Sequence, residues 1–248
     1  MDNTALVKET VAALGADICG IAPIERFGGA PTGFRPTDIY HACKSVVVFA
    51  MRLPGQSLFA ENCIPYTFVN TVMTQEVDRL IMQVSLKLQE LDIKNVPVPS
   101  DDPYLHWEAE HSYGRAILSM KHAGYLAGLG VMGKNTLLIN RDYGNMIQIG
   151  AVLVKADLDP DQIATYEGCL PDCRLCLDSC PVKAMDGETV NQQLCRPLSI
   201  YRTEKGYILK KCYECRKVCP NALGIRGERR KEQYERRIKF FPNPESKI

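Results

Sequence analysis

The chain has 248 residues, of which 46% are hydrophobic and 24% are charged, a composition that is typical of globular proteins and excludes a disordered or fibrous chain. Its 30 basic and 29 acidic residues leave a net charge of +1, so no global field favours nucleic acid or an anionic membrane as a partner. The sequence shows no signal-peptide pattern and no run of roughly 18 apolar residues. We therefore expect a cytoplasmic protein without a membrane or nucleic-acid partner.

The first hundred residues predict a layer of helices and strands. Apolar residues recur at helical spacing over residues 4–14 and again over 71–91, and these segments predict two amphipathic helices. Short runs rich in β-branched residues at 18–22, 45–51 and 93–98 predict buried strands. Strands that alternate with helices indicate an α/β or α+β layer, although its strand order cannot be inferred.

The next segment predicts a loop, a helix and a strand pair. Residues 99–114 are polar and aromatic and predict a loop, and residues 115–126 predict a helix. Residues 136–139 and 147–154 predict two strands that pair around the turn between them. We take residues 1–162 as the first domain.

Eight of the eleven cysteines lie between residues 169 and 219. Without export, such thiols are typically metal ligands and not disulfides. They form two runs that both end in CxxCxxxCP, with one isolated cysteine between them: Cys169, Cys173, Cys176 and Cys180, then Cys195, then Cys212, Cys215 and Cys219. This ending is typical of bacterial two-cluster ferredoxins, in which the cysteine before proline binds the cluster of the other run.

That exchange of ligands predicts two [4Fe–4S] clusters. The first thiol group would be Cys169, Cys173, Cys176 and Cys219, and the second thiol group Cys180, Cys195, Cys212 and Cys215. Two tetrahedral zinc sites are the alternative, which the repeated CxxCxxxCP ending disfavours. We predict a ferredoxin-like domain over residues 163–225, a charged helical tail over 226–248, and buried hydrophobic roles for Cys19, Cys43 and Cys63.

A glycine-rich segment precedes the cysteines. Residues 128–133 match the GxGxxG dinucleotide fingerprint, but a helix precedes these glycines and a strand follows them, which is the reverse of the order that the fingerprint needs. Residues 123–140, AGYLAGLGVMGKNTLLIN, together with the two cysteine runs resemble epoxyqueuosine reductase and, more distantly, the reductive dehalogenases. The resemblance covers roughly residues 115–222.

The resemblance implies a nitroreductase-like α/β domain that holds a cobalamin, with one cluster close enough to reduce its cobalt. The candidate corrinoid contacts that it suggests are Gly130, Gly133, Lys134, Asn135 and Thr136. It also implies a general-acid aspartate before a proline, for which Asp102 is the candidate, although a turn aspartate is the plainer interpretation. His106, Trp107 and His111 would either line a pocket or form a surface loop.

The family carries a helical-repeat extension after its clusters that helps to bind tRNA, whereas this chain ends at Ile248, which suggests a short form. Three hypotheses follow. The first is a reductase that passes electrons from a donor such as ferredoxin or flavodoxin through two clusters to a cobalamin and an unidentified small-molecule substrate. The second is an electron-transfer module without a corrinoid that docks a partner enzyme. The third places a flavin in the first domain.

Overall fold

The structure is a computed structural model that describes residues 3–110 and 113–225. The predicted tail at 226–248 and the candidate pocket residue His111 lie outside the described residues. The elements of the first part are α1 (Asn3–Ala13), β1 (Ile18–Pro23), α2 (Pro36–Ile39), β2 (Ser45–Arg52), α3 (Ile64–Glu90), β3 (Asn95–Val98), β4 (His106–Glu108), β5 (Tyr113–Arg115), α4 (Met120–Leu126), β6 (Val131–Met132), β7 (Leu138–Ile139) and β8 (Ile147–Val154). The elements of the cysteine region, residues 163–225, are α5 (Leu175–Asp178), α6 (Gln192–Ser199), β9 (Ile200–Arg202), β10 (Ile208–Lys210) and α7 (Glu214–Lys217).

A four-stranded antiparallel sheet forms the centre of the fold, with strand order β1-β2-β8-β3. The central pair runs in register from Ser45 opposite Val154 to Arg52 opposite Ile147. Helices α1 and α3 pack on one face of this sheet, and α4 packs on the other. Because both faces are covered, β2 is buried along six consecutive residues and its sequence shows no polar alternation.

Most of the predicted elements are present near their predicted positions. Helix α1 and strands β1, β2, β3 and β8 match their predictions to within a few residues. Helix α3 begins at Ile64 and not at residue 71, with a proline in its first turn where the missing N–H costs nothing. The mixed α/β architecture expected for the first domain is therefore confirmed.

Three predictions about local structure were wrong. The segment 99–114 contains strand β4 and the start of β5, which pair as a hairpin. Helix α4 begins at Met120 and not at the predicted residue 115, since Arg115 belongs to β5. Strand β7 pairs with β6 and not with β8, since β8 is apolar on both faces and takes a central place in the sheet, between β2 and β3.

The cysteine region is built differently. Helices α5 and α7 have four residues each, and α6 has no buried residue. Its own apolar cluster centres on Cys176, Leu177 and Val218. Within the described ranges, no helix is long and apolar enough to cross a membrane.

Candidate functional site

A tight turn between β6 and β7 faces the cysteine region. The Gly133 N–H donates to the carbonyl of Leu137 at 2.9 Å, and the Thr136 N–H donates to the carbonyl of Gly133 at 2.8 Å. Thr136 has φ 60°, a left-handed conformation that is costly for a β-branched residue. The Asn135 side chain supports the turn by accepting from the Leu137 N–H at 3.2 Å. The turn is therefore held in one conformation by several bonds.

Beside this turn lies a small cavity of about 10 Å³. Its lining residues come from the turn and from both cysteine runs: Lys134, Asn135, Gly168, Cys169, Leu170, Cys173, Cys176, Cys219, Pro220 and Asn221. All four members of the first thiol group are among them. Cys219 thus lies with the first cysteine run although it belongs to the second. The assignment of these thiols to a cluster stays a prediction.

Hydrogen bonds connect the turn to the cavity. The Lys134 N–H donates to the Sγ of Cys169 at 3.4 Å, and the Lys134 ammonium donates to the carbonyl of Cys173 at 3.1 Å. The Asn135 amide donates to the carbonyl of Cys215 at 3.1 Å. The Asn221 amide nitrogen donates to the carbonyl of Gly168 at 2.5 Å, while its buried Oδ1 has no hydrogen-bond partner among residues 3–110 and 113–225. These hydrogen bonds therefore fix the turn and the segment around Gly168 against the cysteine runs.

The second thiol group also comes together. Burial, together with smaller contributions from the neighbouring Cys195 and Cys212, raises the pKa of Cys215 to about 12. Burial likewise raises the pKa of Cys212, with contributions from Cys195 and Cys180. A raised pKa opposes ionisation of a free thiol, but a bound metal supplies enough positive charge to deprotonate it. Electrostatic coupling between Cys215 and Cys176 places the two groups next to each other.

Eight thiols in two adjacent groups of four form a donor set that fits two iron–sulfur clusters. Among the side chains of residues 3–110 and 113–225, no three or more His, Cys, Asp or Glu are arranged to hold a single metal ion. The first thiol group is instead spread around a cavity.

The candidate corrinoid contacts divide into three kinds. Gly130 and Gly133 have a packing role, since a Cβ on Gly130 would lie 2.5 Å from the carbonyl oxygen of Ile139 and one on Gly133 would lie 2.6 Å from the Cδ1 of Ile139. Lys134 and Asn135 line the thiol cavity. Thr136 is buried within the turn. The five residues therefore do not form one open surface.

Asp102 lies in a separate group of charged residues. The pKa of Asp102 is raised by partial burial and by neighbouring Asp101, while Lys210 and Arg196 act to lower it. The Tyr104 hydroxyl donates to Asp101. Arg196 follows Cys195 directly, and Lys210 precedes Cys212 by two residues, so Asp102 lies on the side of the second thiol group. No local sequence pattern pointed to Lys210 or Arg196, because only the tertiary fold brings them to residue 102.

Large apolar side chains are exposed on the elements around Asp102. Leu105 is 78% exposed and Trp107 is 54% exposed, and Trp107 stacks on Tyr104. Helix α6 adjoins the β4–β5 hairpin, where the Gln193 amide donates to Glu108 at 2.9 Å. On α6, Leu194 is 49% exposed. Several exposed apolar side chains close together are typical of a surface that binds a ligand or a partner.

Comparison with known proteins gives a consistent result, although no family model matches the sequence. The chain is 28% identical to the epoxyqueuosine reductase of Staphylococcus aureus over 171 residues, which are 64% of this chain and 40% of that protein. It is 35% identical to the epoxyqueuosine reductase of Lactococcus garvieae over 109 residues, which are 40% of this chain and 30% of that protein. The chain thus spans less than half the length of these curated relatives.

Solved structures share the fold. The epoxyqueuosine reductase from Streptococcus thermophilus matches with a TM-score of 0.56 and 21% identity, over 80% of this chain and 57% of that chain. A catabolic reductive dehalogenase in complex with 3-bromo-4-hydroxybenzoic acid matches with a TM-score of 0.66 and 18% identity, over 94% of this chain and 33% of that chain. An epoxyqueuosine reductase with a tRNA stem loop matches with a TM-score of 0.57 and 17% identity, over 93% of this chain and 68% of that chain. The resemblance noted in the sequence is confirmed.

Proposed function

We propose that this chain, which is similar to the epoxyqueuosine reductases, is an oxidoreductase that passes electrons through two [4Fe–4S] clusters to a cobalamin and a small organic substrate. A low-potential donor such as a ferredoxin or flavodoxin would supply the electrons. The observation that carries the proposal is the thiol cavity, because the four cysteines around it are those that the spacing assigns to one cluster.

The donor set supports the cluster part of the proposal. Each group offers four thiolates, the number that one cubane needs. When bound, the clusters supply one-electron transfer at low potential. The protein contributes the Lys134 N–H to a ligand sulfur and an Ala184 N–H that donates to the Sγ of Cys180 at 3.3 Å. Both thiol groups therefore receive a main-chain hydrogen bond.

The surface around Asp102 supports the cobalamin part of the proposal. A corrin ring is large and mostly apolar, and the exposed Leu105, Trp107 and Leu194 offer apolar area of that kind. These three side chains are the ones we propose to hold the macrocycle. When bound, a cobalamin supplies a nucleophilic metal centre.

Asp102 would hold the proton that a reduction consumes. Partial burial and Asp101 raise the pKa of its carboxyl group above the ordinary value of 3.8. A carboxyl with a raised pKa keeps its proton closer to neutral pH, which suits a general acid. Tyr104, which donates to Asp101, would hold that neighbouring carboxylate in place.

A second function is favoured by one observation. Helix α6, which carries Cys195, has no buried residue and exposes Leu194 and Leu198. An amphipathic helix with an uncovered apolar face close to a cluster would suit an electron-transfer module that docks a partner enzyme without any corrinoid.

The two functions differ in cobalamin binding, and Trp107 provides the probe because it is the only tryptophan of the chain. After anaerobic reconstitution with iron and sulfide, we expect about eight iron atoms per chain. Added cobalamin should then quench the Trp107 fluorescence with a dissociation constant in the micromolar range. The matched variant Trp107→Phe should lose this signal while an absorbance titration still reports binding.

A variant separates binding at the proposed surface from binding elsewhere. Leu105→Ala should weaken cobalamin binding, whereas Leu86→Ala, which removes a side chain that is 55% exposed on α3, should not. Full iron content without cobalamin binding at micromolar concentration would reject the reductase and favour the electron-transfer module. A preparation that binds zinc and no iron would reject both.

A further inference from the structure

Lys134 contacts the first thiol group in two ways, and the proposed function assigns no role to its ammonium group. Its main-chain N–H donates to the Sγ of Cys169 at 3.4 Å. Its ammonium group donates to the carbonyl of Cys173 at 3.1 Å, within the lining of the same cavity. Both contacts come from the layer that contains the sheet and reach across about 35 to 39 residues of chain. One residue thus brings a positive charge and a sulfur hydrogen bond to one group of thiols.

We propose that Lys134 is a tuning residue that makes the reduction potential of the cluster held by the first thiol group more positive than it would otherwise be. The inference rests on the proposed function, because it needs a cluster in that group. It adds a role for a side chain that the sequence suggested only as a corrinoid contact.

The physical reason is the charge that reduction adds. Each reduction event transfers one electron to the cluster and no proton, so the reduced form carries one more negative charge than the oxidised form. A nearby cation and an N–H donor to a ligand sulfur both stabilise the reduced form, and such groups are known to set cluster potentials. The half-buried position of Lys134 strengthens this effect, because solvent and salt screen the charge less than at the surface.

The turn makes a substitution at Lys134 interpretable. The conformation of residues 133–136 is held by main-chain bonds and by the Asn135 side chain. The Asn135 amide also fastens the turn to the second cysteine run through Cys215. Replacement of the Lys134 side chain should therefore remove the ammonium group while the main-chain N–H to Cys169 stays in place.

The experiment is a redox titration of the reconstituted full chain with dithionite, followed by electron paramagnetic resonance. The variant Lys134→Met should move one of the two reduction waves to more negative potential and leave the other in place. Lys134→Arg keeps the positive charge, so this wave should stay close to its potential in the parent chain. The shift should persist in high salt, as expected for a partly buried charge.

Lys183→Gln is the matched control. Lys183 also donates its ammonium group to a main-chain carbonyl in the cysteine region, that of Asp178 at 2.7 Å, but it is exposed and does not line the cavity. We expect this variant to leave the wave that responds to Lys134 unchanged.

Three results would overturn the inference. Two normal waves in Lys134→Met with no shift would reject the tuning role and leave the proposed function intact. An equal shift of both waves would show a general change of charge or structure instead of a local effect. No reducible wave in the parent chain, with no iron bound, would reject the proposed function itself.

Discussion

The four-stranded sheet with helices α1, α3 and α4, which we call the sheet layer, and the cysteine region are stabilised by different means. In the sheet layer, strands β2 and β8 are buried on both faces between α1 and α3 on one side and α4 on the other. In the cysteine region, the apolar cluster is small and α6 buries no side chain. Ordering a chain segment costs conformational entropy that burial must offset. The sheet layer meets this requirement with its own side chains, and the cysteine region does not.

The cysteine region is nevertheless attached to the sheet layer by specific contacts. Tyr66 of α3 stacks on Tyr213 with ring centroids 4.0 Å apart. A Cβ on Gly144 would lie 2.1 Å from the carbonyl oxygen of Asn221, so the two segments approach closely enough to require glycine. These contacts position the region, and we infer that bound clusters supply most of the energy that orders it.

The largest effect should follow removal of iron. Chelation of the reconstituted protein under anaerobic conditions should speed amide hydrogen exchange across residues 169–219 by orders of magnitude, because the apolar cluster of this region is small and we propose that bound clusters order it. Exchange in β2 and β8 should stay slow, since their burial does not involve the thiols. Hydrogen exchange with mass spectrometry measures both regions at once. Equal protection of residues 169–219 with and without iron would contradict the comparison.

A core substitution should have the opposite pattern. Phe49, at the centre of β2, is fully buried, and Phe49→Ala should lower the free energy of unfolding of the sheet layer by about 3–5 kcal/mol. Phe68→Ala, at a position that is 67% exposed, should change it by less than about 0.5 kcal/mol. Denaturant unfolding followed by circular dichroism checks both values. Similar losses in the two variants would mean that β2 is not the core strand described here.

Exchange of ligands between the two runs can be tested by single substitutions. Cys219→Ser should lower the iron content from about eight to about four per chain, and Cys180→Ser should do the same by removing the other cluster. Cys43→Ser, at a buried cysteine outside both groups, should leave the iron content unchanged. Iron analysis gives the numbers. Retention of all iron in Cys219→Ser would reject its place in the first group.

The reduction wave that remains in Cys180→Ser or in Cys219→Ser identifies which of the two clusters that variant has kept. In Cys180→Ser the remaining wave should respond to Lys134→Met, because the first thiol group is intact. In Cys219→Ser the remaining wave should not respond. The reverse pattern would show that the two CP cysteines bind within their own runs.

The smallest effect concerns Asp102. Its folded-state pKa is raised above 3.8, so the stability gained from its proton is full below pH 3.8 and is lost as the pH rises through the folded-state pKa. Asp102→Asn should therefore raise the melting temperature slightly at neutral pH, with an advantage that shrinks as the pH is lowered. Thermal unfolding between pH 8 and pH 3.5, a range that extends below the ordinary pKa of 3.8, measures the trend.

Asp186→Asn is the control with the opposite sign. Main-chain N–H groups of Thr189 and Glu188 lower the pKa of Asp186 to about 2, so its carboxylate contributes stability that is lost only as the pH falls through that value. The variant should melt at a slightly lower temperature at neutral pH. An Asp102→Asn variant that loses stability at neutral pH would contradict the direction of the Asp102 pKa.

Much of the sheet layer was predictable because burial on both faces leaves a strong local signal. The apolar run of β2 and that of β8 identified two strands without any knowledge of their partners. The hairpin of β4 and β5 was missed because its strands are three residues long and β4 is exposed, which produces no apolar alternation. The pairing of β7 with β8 was predicted wrongly because adjacency in sequence outweighed the two-sided burial of β8.

The sequence by itself determined the two cysteine runs, their spacing and the apolar segments, since each depends on residues that are neighbours in the chain. Only the tertiary structure decided which distant residues meet: Lys134 with Cys169 and Cys173, and Asp102 with Arg196 and Lys210. These contacts depend on how the sheet layer and the cysteine region pack against each other. No local pattern records that packing, because it is set by long-range burial and hydrogen bonding.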